Sequence, residues 1–295
     1  MIIKSNKSKI MILGCTGLIG HQIYNYFSLL NEYDVLGISN SRKLNEHNIR
    51  IDLQNTHSLK VILDEFKPQI IINCVGILIS ESLQNPSKAV LMNALLPYKL
   101  VELSNEINAK LIHISTDCVF SGNKGNYSES DIKDGVSVYS KSKALGEISD
   151  SRHLTIRTSV IGPEIDSRGE ELFNWFMLQQ GEINGFEKSI WSGVTTFLLA
   201  KIIQKTIELN LCGIYNVTSP TPISKYDLLQ LLNEYKRNKN FIKKIDGIIS
   251  NKSLIDTRNE LNFVYPNYFE MIKDMMELTS KNDLYKHYET SLIDE

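Results

Sequence analysis

The sequence predicts an α/β protein: a doubly wound parallel sheet with helices on both faces, followed by a smaller C-terminal lobe. Three observations predict it. Short apolar runs alternate with helical periodicity through residue 157, the rhythm of βαβ units. The first run ends in a glycine-rich turn, Gly14-Cys15-Thr16-Gly17-Leu18-Ile19-Gly20, that opens a helix. After Gly162 the alternation stops.

The elements follow in order. Residues 9–13 are an apolar run closed by Gly14, the profile of a buried parallel strand. Residues 18–30 carry helical periodicity, and 34–39 and 49–53 read as the second and third strands. Residues 58–66 read as a helix, with Ser58 near its start and Pro68 past its end. Strands at 70–73 and 110–115 flank a long amphipathic helix at 93–108. A loop at 121–137, rich in Gly, Ser, Asp and Asn, leads to a helix at 138–149 and a strand at 153–157. Further on, 170–180, 194–208, 224–235 and 268–278 read as helices, and 213–217 as a last strand.

Composition narrows the function. The chain has 295 residues, enough for one large domain or two intimate ones. Apolar residues make up 42% and charged residues 22%, both ordinary for a globular protein. A net charge of −2 and a pI of about 6.3 argue against nucleic acid or an anionic membrane as the main partner. An anionic ligand must therefore be met by local donors. Cys15, Cys74, Cys118 and Cys212 form no CxxC pair and fit no zinc spacing, so four reduced thiols and no metal site are expected. The N-terminal stretch lacks a long apolar core, and the longest apolar run, 70–79, is interrupted by Asn73. A soluble, cytoplasmic protein is the expectation.

The glycine turn lies between strand and helix, where tight backbone and free N–H groups receive a pyrophosphate. Its spacing is GxxGxxG. Gly14, Thr16, Gly17, Leu18, Ile19 and Gly20 are thus candidate dinucleotide contacts, and the sheet is of Rossmann type. The predicted dinucleotide-binding domain covers 1–161, completed by 191–217; residues 162–190 and 218–295 form the substrate-binding lobe. The second strand runs into Ser39-Asn40-Ser41-Arg42, without the acid that NAD-specific sites carry there. Ser39, Ser41 and Arg42 suit a 2′-phosphate, which favours NADP(H) and leaves NAD(H) possible; Arg42 as a solvated charge is the bland reading. Asp52 and Leu53 are placed to meet the adenine, unless Asp52 merely caps a turn. Cys74, Val75 and Gly76, after another strand, can line the cofactor.

Tyr139 and Lys143 lie four residues apart, so they share one helix face. An ammonium beside a phenol favours its ionisation. Thr116 lies just past a strand end on the same ligand-binding edge, and Asn93 sits early in a following helix.

Together GCTGLIG, IINCVG, NALLPYKLVEL, ISTDCVFSGNKGNYSESD, VYSKSKALGE and LTIRTSVIGPE resemble the extended short-chain dehydrogenase/reductase superfamily. The nearest likeness is to its dTDP-4-dehydrorhamnose reductase family, and it extends more weakly through WSGVTTFLLAKII and GIYNVTSPTPISKYDLL. The resemblance implies a catalytic Thr116, Tyr139 and Lys143. It implies hydride delivery to the C4 ketone of a nucleotide-linked 6-deoxyhexose, in surface-polysaccharide precursor synthesis. Tyr139 would be the general acid, with Lys143 lowering its pKa and holding the nicotinamide ribose. Thr116 would hydrogen-bond the same oxygen, and Asn93 would support the site. Related 4,6-dehydratases read Thr-Asp-Glu where this chain reads Thr116-Asp117-Cys118, which argues against dehydration. Val160 follows Arg157-Thr158-Ser159, where the reductases often carry a sugar-contacting aromatic, so a different sugar is expected. Members of the superfamily also include epimerases, dehydratases and the non-catalytic regulatory subunit of methionine adenosyltransferase. A homodimer is one possible assembly.

Asp117, Arg157, Trp191 and Thr195 are weaker substrate-binding candidates. Asp117 contacts substrate or caps its loop. Arg157 and Arg168 pair with a substrate diphosphate, or Arg157 belongs to a structural ion pair. Trp191 stacks on a base or sugar, or packs between the lobes. His21, His113 and His153 read as packed histidines. Residues 236–244 read as a solvated lysine face.

Overall fold

Alternating apolar residues give one sheet two buried faces. Ile10 and Ile12 pack into one core while Met11 and Leu13 pack into another, and Ile71 lies opposite Ile70 and Ile72 in the same way. Burying each such side chain contributes roughly 1.5–3 kcal/mol. The computed structural model describes residues 7–288 and residue 290. The strands are β1 (Ser8–Leu13), β2 (Tyr33–Ser39), β3 (Asn48–Arg50), β4 (Ile70–Asn73), β5 (Lys110–Thr116), β6 (Leu154–Thr158) and β7 (Gly213–Asn216). Their order is β7-β6-β5-β4-β1-β2-β3, all parallel. The expected α/β class is the observed one. The order reverses between β1 and β4, opening a crevice at their carboxyl ends.

The principal helices are α1 (Leu18–Leu29), α2 (Thr56–Phe66), α3 (Leu96–Glu106), α4 (Val138–Leu145), α5 (Leu172–Leu178), α6 (Thr196–Glu208), α7 (Lys225–Asn233) and α8 (Tyr268–Ser280). Small sheets lie outside the main one. Glu182–Phe186 pairs in parallel with Phe241–Ile245, and Ser189–Trp191 is flanked by Ile223–Ser224 and Ser250–Asn251. The C-terminal residues also return to the large sheet, where Tyr285 meets His21 Nε2 of α1 at 2.7 Å.

Several boundaries differ from expectation. The third strand stops at Arg50 because Asp52 Oδ1 accepts from Gln54 N at 2.9 Å and turns the chain. The single helix expected at 93–108 is instead Pro86–Ala89, a π-helical turn Val90–Leu95, and then α3. Pro97 has no N–H to donate to the Asn93 carbonyl, and the ladder widens before it. The helix expected to reach 149 ends at Leu145, where Gly146 N bonds the Ser142 and Lys143 carbonyls. Val194–Thr195 is not helical but pairs with Val160–Ile161. Nor is the 236–244 run a uniformly solvated face, since Lys236 is buried and donates to the Phe176 and Gln179 carbonyls.

Candidate active site

The glycine turn is shaped to accept an anion. Gly14 has φ +80°, a conformation side chains rarely adopt, and its N donates to the Ile38 carbonyl at 2.8 Å. A Cβ on Gly20 would lie 2.0 Å from the Gly14 carbonyl oxygen, so only glycine lets α1 pack this closely. Gly17 caps α1 without any side-chain hydrogen bond, leaving its first N–H groups and dipole end open. Those features fit a dinucleotide pyrophosphate.

The second wall comes from β4. Asn73 Oδ1 accepts from Val75 N at 3.1 Å and fixes the turn Cys74-Val75-Gly76. Asn93 then clamps this segment. It accepts from Ile77 N at 2.7 Å and donates to the Ile77 carbonyl at 2.9 Å and to Ser142 Oγ at 3.1 Å. Ser142 in turn donates to the Tyr139 carbonyl at 3.0 Å. Asn93 therefore positions α4 against the β4 turn.

The catalytic candidates converge on one side. Ser137 caps α4 by accepting from Ser140 N at 3.0 Å, which sets Tyr139 and Lys143 on one turn. Thr116 ends β5, accepts from Cys118 N and donates to Asp117 Oδ1, both at 3.1 Å. Lys143 Nζ donates to the Ile114 carbonyl at 2.8 Å, which leaves two of its three N–H groups for a ligand. A Cβ on Gly76 would come within 3.9 Å of that ammonium, so the missing side chain keeps space before it. Gly17, Leu18, Ile19, Cys74, Val75, Gly76, Thr116, Asp117, Tyr139 and Lys143 all line one cleft of about 440 Å³.

Burial dominates the electrostatics. It holds the Lys143 pKa down at about 8, against partial support from Glu147. It raises the Tyr139 pKa well above its ordinary value; Cys118 adds to this, and the Thr116 hydroxyl pulls the other way. Against the expected lowering, the net direction at Tyr139 is upward: burial leads, and the nearby Glu171 and Asp117 charges push the same way. Burial also pushes the Cys118 thiol up to about 11, so it is neutral.

Other candidates lie elsewhere. Arg157 is buried in a fork on Glu147, at 2.7 and 2.8 Å, and its remaining nitrogen donates to the Ser128 and Glu129 carbonyls, the structural ion pair of the alternative reading. Trp191 is buried, donates to Ser159 Oγ at 2.8 Å and packs on Tyr268; it is a packing residue, not a stacking platform. Thr195 is the buried N-cap of α6, accepting from Leu198 N at 3.3 Å, a structural role outside the cleft lining. Ser39 is buried with its hydroxyl donated to the Arg42 carbonyl, so it is a turn residue. Leu53 is buried in the core with Leu13 and Ile38. Asp52 is exposed and serves the turn. Ser41 is exposed, Thr16 half-buried, and Arg42 pairs with Asp166 at 2.9 Å. His113 and His153 are packed, as expected. Sequence reasoning missed Ser159, Glu164, Glu170 and Glu171, which line the cleft from the C-terminal side. Burial raises Glu164 to about 7. Ser159 and Glu164 fall within LTIRTSVIGPE, which carries the resemblance without marking their place in the cleft, and no local motif marks Glu170 or Glu171.

Among the described residues no group of His, Cys, Asp and Glu forms a metal site, and no helix is long and apolar enough to cross a membrane.

The fold and cleft define a Rossmann-type α/β protein with a cleft at the carboxyl edge of its sheet. The RmlD substrate binding domain family matches residues 8–254, and the chain belongs to that family. It is 28% identical over 232 residues to the dTDP-4-dehydrorhamnose reductase of Aggregatibacter actinomycetemcomitans, covering 75% of this chain and 76% of that one. It is 31% identical over 138 residues to the methionine adenosyltransferase 2 subunit beta of Xenopus laevis, covering 46% of this chain and 41% of that subunit. The chain thus spans less than half the length of that relative. A dTDP-4-dehydrorhamnose reductase from Bacillus anthracis, solved in complex with NADP, shares the fold with a TM-score of 0.78 at 22% identity; the match covers 92% of this chain and 99% of that one.

Proposed function

We propose that the protein is an NADPH-preferring reductase of the C4 ketone of a nucleotide-diphospho-4-keto-6-deoxyhexose, with residues 162–190 and 218–295 forming its substrate lobe. The observation that carries this reading is the convergence of Thr116, Tyr139 and Lys143 with the open glycine turn in one cleft. The glycine turn, the Cys74–Gly76 segment and Lys143 would hold NADPH, which would supply the hydride for C4 of the ketone. Tyr139, held protonated by burial, gives its phenolic proton to the ketone oxygen. The Thr116 hydroxyl, turning its proton from Asp117 Oδ1, would hydrogen-bond the same oxygen and stabilise the developing charge. Lys143, with two N–H groups left beside its bond to the Ile114 carbonyl, would hold the nicotinamide ribose, and Tyr139 regains its proton from solvent. Cys118 lacks the acidity to replace a dehydratase's glutamate: its thiol holds its proton to about pH 11.

A regulatory, non-catalytic role is the second reading, and the likeness to the methionine adenosyltransferase subunit favours it. One experiment separates the two. NADPH oxidation is followed with a panel of dTDP- and UDP-4-keto-6-deoxysugars. The enzyme reading predicts turnover with one of them. Tyr139→Phe should cut kcat by roughly 10²–10⁴-fold while cofactor affinity stays within about twofold. Tight NADPH binding with no turnover on any sugar would decide for the regulatory role.

A further inference from the structure

We propose that His21 and Tyr285 are positioning residues for the dinucleotide: the C-terminal segment, acting through His21, fixes the direction of the glycine turn's N–H groups. This rests on dinucleotide binding at that turn. Neither residue lines the cleft. Tyr285 also lies beyond residues 8–254, the span of the family match.

His21 is fully buried in the first turn of α1. Its Nδ1 lies 2.7 Å from the Gly17 carbonyl oxygen, and its Nε2 lies 2.7 Å from the Tyr285 hydroxyl. A carbonyl only accepts, so Nδ1 carries a proton and donates it there. Burial lowers the His21 pKa to about 4, so the ring is neutral and Nε2 is bare. The Tyr285 hydroxyl therefore donates to Nε2, while its oxygen accepts from Gln22 Nε2. Gln22 Nε2, 3.0 Å from His21 Nε2, closes the triangle. A donor on Nε2 keeps the ring proton on the side facing Gly17.

That bond fixes a peptide plane. The Gly17 carbonyl also accepts from His21 N at 3.0 Å, so it points along α1. The Leu18 N–H belongs to the same planar trans unit and points the opposite way, out of the helix start. Gly17, Leu18 and Ile19 line the cleft. An N–H held in place before an anion arrives spares the complex the cost of ordering it.

The C-terminal segment is itself held. Tyr288 donates to Asn174 Oδ1 at 2.8 Å and accepts from Glu164 N at 3.0 Å. Its ring meets Phe173 edge-on at 5.1 Å. Glu164 lines the cleft, so one segment grips both α1 and a cleft wall.

The test is NADPH affinity by calorimetry together with amide hydrogen exchange, and neither needs a sugar. Tyr285→Phe keeps the ring and removes only the hydroxyl. It should bind NADPH roughly threefold to tenfold more weakly, the share of one net hydrogen bond. His21→Leu should lose at least as much. His21→Asn, whose amide can reach the Gly17 carbonyl, should recover most of the loss, a rescue that a merely structural role would not give. In wild type, NADPH should slow exchange across residues 282–288, because coupling is reciprocal. If Tyr285→Phe and His21→Leu both bind NADPH as wild type does, and loading leaves exchange across 282–288 unchanged, the positioning role falls and the dinucleotide reading stands. If wild type binds neither NADPH nor NADH, the dinucleotide reading falls and the positioning role with it.

Discussion

At the residue scale, the two groups four positions apart divide the labour differently from what spacing alone implies. An ammonium beside a phenol suggests a tyrosine that ionises easily. Enclosure reverses this: the Tyr139 phenol is pushed up, and Lys143 is the group brought toward neutrality, at about 8. A phenol that keeps its proton suits reduction, where a proton must be given. The pH dependence follows with a definite sign. Burial disfavours the Lys143 ammonium, so the charge is present below about pH 8 and lost above it. kcat/KM for ketone reduction should be flat from pH 6 to 7 and then fall, approaching tenfold per pH unit well above 8. Lys143→Arg should move that falling limb upward, because guanidinium stays charged. A flat profile to pH 10 in wild type would show that the charge is not needed.

At the element scale, the helix carrying Asn93 and the helix carrying Tyr139 approach most closely at Gly146. A Cβ on Gly146 would sit 1.9 Å from the Asn93 carbonyl oxygen, and 3.2 Å from Pro97 Cγ. That carbonyl is free because Pro97 cannot donate to it. Gly146→Ala should lower stability by about 1–3 kcal/mol, read as a lower urea midpoint at unchanged slope. It should also lower kcat, because Asn93 positions Ser142 and with it the Tyr139 turn. An unchanged midpoint would mean that the two helices can separate freely. This junction was not legible in the sequence. Pro97 and Gly146 are 49 positions apart, and neither alone signals a π turn. The strands of the large sheet were legible because buried parallel strands are unbroken apolar runs, as in Ile70–Asn73. The short strands Glu182–Phe186 and Phe241–Ile245 were not; Lys243 and Lys244 give the second a solvated look while its backbone pairs.

At the scale of the whole molecule, the cleft is made by two parts of the chain that meet late. The glycine turn, Thr116, Tyr139 and Lys143 declare themselves in short local motifs, because each chemistry needs particular residues at fixed spacing. Glu170 and Glu171 reach the same cleft only through tertiary packing, and their surroundings carry no signature. The same distinction explains the misplaced candidates. Arg157 and Trp191 are residue types that bind nucleotides, but a buried arginine needs a carboxylate and a buried indole needs an acceptor, which Glu147 and Ser159 provide. Arg42 of the β2 loop and Asp166 beyond β6 join the two parts across the crevice at 2.9 Å. With both parts exposed, that pair contributes less than about 1 kcal/mol, so opening it to admit a cofactor costs little.

Hydride delivery to a sugar carbon is the central claim, and isotope transfer measures it most directly. The protein is incubated with NADPH deuterated at the transferring position and with the 4-keto sugar that it turns over. The product is then read by mass spectrometry and proton NMR. The reductase reading predicts one deuterium per product molecule, located at C4, and an equal amount of oxidised cofactor. NADPH left unconsumed while the sugar is epimerised or dehydrated, or a C4 position without deuterium, would contradict it.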